Sequence, residues 1–375
     1  MTIRDMKPLN SYKLKGRAVG CLLAGLLSSA VAQAQQISDG DHHAYIQAVD
    51  EYCPAPGQFV NTMPKYTDGD SPAIMAGKCT AIMVANSTGD ADNSGLISLG
   101  AYGGYVTFHF DHSIANVEGQ CDLLILGNAI RNTTSAEPGG MSEPGIVMVS
   151  KDTNHNGVAD DPWYELAGSA DVDSVGKLVF DYQITYTPAP MQNIPWSDNQ
   201  GTSGTVTRNA YHAQEYFPLW LTGPLTFRGT LLPKNGYHAR SGWFLTNFYH
   251  YGYVDNKPNS DTEANSFDIG WAVDADRRPV HLDFIDFVRV YCATNQQYPG
   301  IGEVSTEVDR AEDLHLEHSL QAIQSALAGI TGIRREDATV SGCFGTDGLL
   351  RPVPRQGLNI LRMSDGSIRK TIINK

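Results

Sequence analysis

The sequence predicts an all-β protein, built as a jelly-roll-like β-sandwich. Three observations predict it. Glycine and tyrosine are abundant, at 37 and 17 residues. Helical periodicity is nearly absent between residues 80 and 300. Short apolar or alternating runs recur through that stretch with turn signals between them, which is the spacing of a sandwich or a jelly roll. At 375 residues the chain is long enough for one large sandwich or two smaller domains with an ample core.

Residues 1–34 read as a secretory signal. Arg4, Lys7, Lys13, Lys15 and Arg17 form a positive n-region, Val19 to Val31 is a short apolar run, and Ala32-Gln33-Ala34 is an A-x-A cleavage site. The run is too short for a stable membrane span. Cys21 is no lipidation site, because the apolar stretch follows the cysteine instead of preceding it. The segment carries five cations and one anion, so its removal takes the formal charge from -14 to -18. That charge argues against nucleic acid and anionic membrane as partners and suits a cation-binding, exported protein. Five cysteines remain, an odd number, and Cys53 with Cys79 is the expected disulfide. Cysteines and histidines are scattered and there is no CxxC, so the sequence predicts no zinc site.

The candidate strands follow in order. Gly104–Phe110 alternates, and Cys121–Gly127, Gly145–Ser150, Trp163–Gly168, Lys177–Tyr186, Thr205–Asn209, Leu225–Leu232 and Phe284–Cys292 complete the set. Ile146–Val149 is apolar without alternation, as a strand buried on both faces would be.

The stretch Asp152-Thr153-Asn154-His155-Asn156-Gly157-Val158-Ala159-Asp160-Asp161 carries the clearest chemistry. Asp152, Asn154 and Asn156 place side-chain oxygens at alternate positions and Gly157 follows sixth, the front half of an EF-hand-type calcium loop. A hard cation takes six to eight oxygens, the glycine permits the sharp turn, and the Val158 carbonyl is the next ligand. Trp163 stands where a bidentate glutamate is expected, so Asp160, Asp161 or Glu165 must replace it. The competing reading is an Asn/Asp/Gly hairpin turn without metal. Strands on both sides make the loop a structural clamp.

Trp243–Tyr253 is the densest aromatic stretch. As a strand it would present Trp243, Tyr249, Tyr251 and Tyr253 on one face, a platform for sugar rings or a flat cofactor, with Trp196 as a further contact. The competing reading makes that face sandwich core. Asp255 and Asn256 read as a turn in preference to a second cation site. Glu143, Glu165, Glu215, Asp198, Asp255 and Asp274 are available carboxylates, but spacing singles out no catalytic pair. No G-x-S-x-G, HExxH, phosphate-cradling glycine loop or D-x-H-x-x-G corrinoid signature is present.

Several blocks together resemble a family of secreted cell-surface proteins of Gram-negative gut-type bacteria. They are Ile97–Gly104, Leu126–Ala129, Ser142–Gly145, the loop running on to Trp163-Tyr164-Glu165-Leu166-Ala167-Gly168, Trp196–Gly201, Tyr251–Asn256, Ala272–Asp274 and Gly302–Glu307. The resemblance spans roughly residues 95–310. It implies a calcium-bearing β-sandwich at the cell surface and no established catalytic residue. It also implies capture of nutrients such as glycans and corrinoids, alongside an outer-membrane uptake complex.

Residues 311–340 read as a helical connector, with Leu314, Leu320, Ile323, Leu327 and Ile330 in a helical stripe and Gly329 and Gly332 ending it. Residues 341–375 resemble the short C-terminal sorting domain of type IX secretion substrates, with two strands flanking Ser364-Asp365-Gly366. The competing reading is a last hairpin packed on the main domain. The sequence therefore predicts a calcium-stabilised β-sandwich over 35–310 that is secreted to the outer-membrane exterior and binds a small-molecule or glycan ligand. Two other classes compete with this one, a surface glycan hydrolase and a structural or adhesive protein.

Overall fold

The computed structural model of the chain describes residues 42–321, apart from 135, 172–175, 241 and 299–300, together with four strands between 340 and 373. The expected signal segment, most of the connector and the Ser364–Gly366 turn lie outside the described residues. The protein is all-β with few helices. No helix among the described residues is long and apolar enough to cross a membrane.

A six-stranded antiparallel sheet organises the first unit. Its order is Ala48–Cys53, Tyr105–Ala115, Phe284–Cys292, Gly145–Ser150, Trp163–Leu166 and Ala272–Val273. Both faces of this sheet are buried, and side-chain alternation divides its residues between two cores. Val147, Val149, Val288 and Val290 enter one core. Ile146 and Tyr291, their immediate neighbours, enter the other. The unbroken apolar run Ile146–Val149 is thereby explained.

The first core is closed by the helix Pro72–Thr88 and by a three-stranded sheet of Ser266–Phe267, Leu123–Leu126 and Arg310–Asp313. Met75, Ala76, Cys79 and Met83, at helical spacing, point into it. Ser71 caps the helix by accepting from the Ile74 amide at 3.3 Å, and Pro72 sits at its first turn. Gly89, at φ 80°, ends the helix and donates to the Ala85 carbonyl. The second core lies between the main sheet and a four-stranded sheet of Ser203–Val206, Ile194–Asp198, Val179–Tyr186 and Leu225–Leu231. Tyr182, Ile184 and Tyr186 alternate into it.

Three expectations are corrected. Cys53 and Cys79 are free thiols, as are Cys121, Cys292 and Cys343. Cys53 packs against the second core and Cys79 lies in the first, so the six-stranded sheet separates them. The 310/311 boundary also moves, because Ala311–Asp313 is strand, pairing with Leu123–Ile125, and the first unit continues to Leu320. Only residues 316–321 of the expected connector are described as helical. Finally, Trp243–Tyr253 is no continuous strand. Pairing covers only Phe244–Thr246, and the chain then leaves the sheet in an irregular path.

The second unit, Gln321–Lys375, contains a four-stranded antiparallel sheet in the order Leu350–Arg351, Val340–Phe344, Gly357–Met363 and Ile368–Ile373. The last two strands pair as the expected hairpin, and Cys343 is buried within this unit.

Candidate functional site

Loop 152–161 connects the antiparallel strands Gly145–Ser150 and Trp163–Leu166, whose register pairs Ser150 with Trp163. His155 at φ 58° and Gly157 at φ 71° wind the backbone back on itself. The Asp152 carboxylate accepts from the Asn156 amide at 3.2 Å and the Gly157 amide at 2.8 Å. Asn154 Oδ1 accepts from the Asn156 amide at 3.0 Å. Asp160 draws in the side-chain amides of Asn154 and Asn156, at 3.1 Å each. Asp152, Asn154, Asn156 and Asp160 therefore converge on one small volume. Turning the two asparagine amides over would aim their oxygens where the nitrogens now point, which gives a hard cation an all-oxygen shell.

The other expected ligands are placed differently. The Val158 carbonyl accepts from the Asp160 amide at 2.8 Å, and its side chain is exposed. Asp161 turns to the start of the loop, where it binds the Thr153 amide and hydroxyl. Glu165 is no replacement for the missing glutamate, because it is engaged elsewhere. Tyr291 Oη donates to it at 2.7 Å, Thr230 Oγ1 at 2.8 Å and Arg277 Nη1 at 2.6 Å. A residue that spacing did not single out anchors the loop. Asp286, on the central strand, accepts from the Asp152 amide at 2.7 Å and from Ser113 Oγ at 2.5 Å. An acid within the apolar run Phe284–Cys292 was its only signal in the sequence.

Glu165 also lines a cleft of about 360 Å³ with Trp163, Phe180, Asp181, Arg228 and Arg277. The Phe180 side chain is exposed, with the Arg277 guanidinium 4.9 Å above its ring. Arg289 lies 4.5 Å over the Trp163 ring. The acids of this cleft are each held by an arginine: Glu165 by Arg277, Asp181 by Arg228 and Asp274 by Arg278. The cleft thus combines two aromatic side chains with fixed donors and acceptors of both signs.

No protein-family model and no curated protein matches the chain. Its functional reading rests on its own residues.

The expected aromatic platform is dispersed. Trp243 is 68% exposed and Tyr251 42% exposed, whereas Tyr249 and Tyr253 are core residues at 1% and 2%. Tyr249 Oη donates to the Pro233 carbonyl at 2.9 Å, and Tyr253 Oη accepts from the Ala170 amide at 3.1 Å. Trp196 lies across its strand partner Gly204, where an added Cβ would meet the indole at 2.6 Å, and it packs against the second core.

Asp255 is more than a turn. Held at φ 56°, it meets Glu143 and Glu307 in a buried cluster whose ligand atoms all lie within 4.8 Å of one another. Its carboxylate accepts from the Asn128 amide at 2.7 Å and the Glu307 amide at 2.9 Å. Burial, and then the Glu307 charge, push both Asp255 and Glu143 well above the usual carboxylate range. Burial raises Glu307 as well, although it accepts from Ser305 Oγ at 2.6 Å. Residues far apart in sequence build this cluster, so spacing did not reveal it.

Proposed function

We propose that this chain is an exported, calcium-stabilised binding protein of the outer cell surface, with a glycan, or another flat polar nutrient such as a corrinoid, as its ligand. Two cores, one on each face of the six-stranded sheet, support a layered β-sandwich as the architecture of this reading. The observation that carries the reading is a continuity. Loop 152–161 runs through Pro162 directly into Trp163–Leu166, whose Trp163 and Glu165 line the aromatic and charged cleft. A cation gathered by Asp152, Asn154, Asn156 and Asp160 fixes the end of that strand and so the Trp163 ring. Sugar rings stack on such side chains while fixed polar groups read their hydroxyls. Export rests on the sequence of residues 1–34, and presentation at the outer-membrane exterior on the type IX-like C-terminal segment. A captured ligand is then passed to an uptake complex.

The test is a melting and calorimetry series on the purified protein with calcium, chelator, glycans and corrinoids. An ion that binds only the folded state stabilises it by about 2.7 kcal/mol at a hundredfold excess over its Kd. Wild-type protein should melt several degrees lower in chelator and recover with calcium. Asp152→Ala should melt low in both conditions. Trp163→Ala should keep the calcium response and weaken ligand binding by about 1 kcal/mol or more. Identical wild-type melting with and without calcium removes the cation from the reading. No heat or shift with any glycan or corrinoid removes the ligand.

A further inference from the structure

A second cluster lies away from the loop and the cleft. His42 and His43 stand just before the strand Ala48–Cys53, and Asp111 and His112 are on Tyr105–Ala115. His42, Asp111 and His112 each offer a ligand atom within 4.8 Å of the others. His42 Nδ1 is 3.3 Å from Asp111 Oδ2, and the His42 side chain is only 10% exposed. Yet neither ring nitrogen of His42 makes a hydrogen bond among the described residues. A buried imidazole that meets a carboxylate without a well-directed hydrogen bond gives up hydration for little in return. It is aimed at a carboxylate that also faces two other histidines.

The neighbouring rings are each held by an oxygen acceptor. His43 Nδ1–H donates to the Tyr45 carbonyl at 2.8 Å, and its Nε2 lies 3.8 Å from Asp111 Oδ2. His112 Nε2–H donates to Asp313 Oδ2 at 2.9 Å, and its Nδ1 meets Asp111 Oδ1 at 2.5 Å. Asp313 is itself held, by Ser319 Oγ at 2.8 Å and the His315 amide at 2.7 Å. A carboxylate behind a ligating imidazole fixes the ring and raises its basicity, as in carboxylate–histidine–zinc arrangements. Donors about 2.0–2.1 Å from a tetrahedral zinc ion are about 3.3 Å from each other, close to the spacings His42 and His43 already make with Asp111.

We propose that His42, His112 and Asp111, completed by His43, bind one divalent ion of the zinc class, with Asp313 orienting His112. Nitrogen-rich, borderline donors select this class over calcium, so the site is chemically distinct from loop 152–161. Four protein donors close the shell, which makes the role structural. The ion clips the segment at residues 42–45, which already meets the sheet edge through the Asp313 amide and the Ala44 carbonyl at 2.7 Å, to the strand Tyr105–Ala115. Histidines that look scattered along the sequence are thus gathered by the fold.

The experiment uses the full chain, free of any histidine tag, stripped with chelator and titrated with Co2+ and then Zn2+. Expected are one equivalent of Co2+, the intense visible absorption of a tetrahedral site, and displacement by Zn2+. His42→Ala should abolish the absorption, Asp313→Asn should weaken affinity on the order of 10- to 100-fold, and Asp152→Ala should leave it unchanged. If His42→Ala does not fold, His42→Gln takes its place in the comparison. Wild-type protein that takes up no stoichiometric Co2+ or Zn2+, or a folded His42 variant that binds as tightly as wild type, overturns the site.

Discussion

Trp243 and Tyr249 are close in sequence and opposite in environment. The first is 68% exposed and the second 1% exposed, with its hydroxyl tied to Pro233. Truncating a buried aromatic removes its transfer energy and leaves a cavity, so Tyr249→Ala should cost about 3–5 kcal/mol. Trp243→Ala should change stability by no more than about 0.5 kcal/mol. Urea unfolding of the two variants measures the difference, and equal losses would return Trp243 to the core. Residue chemistry also explains what sequence reading reached here. The side chains of loop 152–161 act on neighbours within the loop, so their spacing shows their convergence. The cluster of Glu143, Asp255 and Glu307 depends on three distant segments meeting, and no local pattern encodes that.

The helix Pro72–Thr88 is the element the sequence reading missed. Its signals are present in Ser71-Pro72 at the start and Thr88-Gly89 at the end. Its buried side is made of Met75, Ala76, Cys79 and Met83, small or flexible residues that give a weak apolar stripe beside valine- and isoleucine-rich strands. Met83 is fully buried in the first core. Met83→Ala should lower stability by about 2–5 kcal/mol, and Ser71→Ala by about 1 kcal/mol through the lost cap. Chemical denaturation checks both. The strands were more legible: Gly145–Ser150 and Phe284–Cys292 form with the expected ends, because continuous β-branched and aromatic runs leave little choice. Trp243–Tyr253 failed as a strand because its aromatics serve different surroundings, and alternation alone does not separate a sheet face from a loop that dips into a core.

At the scale of the molecule, burying acids makes stability depend on pH. Asp122 is fully buried, accepting from the Val117 and Ile269 amides at 2.9 Å each, and burial raises its pKa to about 7. Burial likewise raises Glu303 to about 8, although Gln58 donates its amide to Oε1. Both folded-state values lie above the unfolded ones, so the folded protein holds these protons more tightly. The stability they contribute is present below the unfolded carboxylate range and is lost as pH rises through about 7 and 8. The urea midpoint should therefore fall between about pH 5 and pH 8, and Glu303→Gln should flatten part of that slope. A Glu303→Gln profile parallel to wild type would show that Glu303 does not titrate there. The two-unit organisation carries its own prediction. Ending the chain after Leu320 should leave the first unit folded, with its melting transition retained, and, on the proposed sorting role of the second unit, withhold it from the outer surface. Surface display at the normal level would argue against a sorting role for the removed unit.

The six-stranded sheet also sets an order of events in time. Ala48–Cys53 pairs with Tyr105–Ala115, which waits for Phe284–Cys292 to complete its other edge. That last strand also joins Tyr105–Ala115 to Gly145–Ser150. Until residue 292 has emerged from the ribosome, the centre of the sheet is missing and neither core can close. Contacts this distant along the chain make folding slow, since loop-closure entropy is lost before the pairing that offsets it is gained. A nascent chain therefore lacks the strand that joins the two halves of the sheet until most of its length has been made.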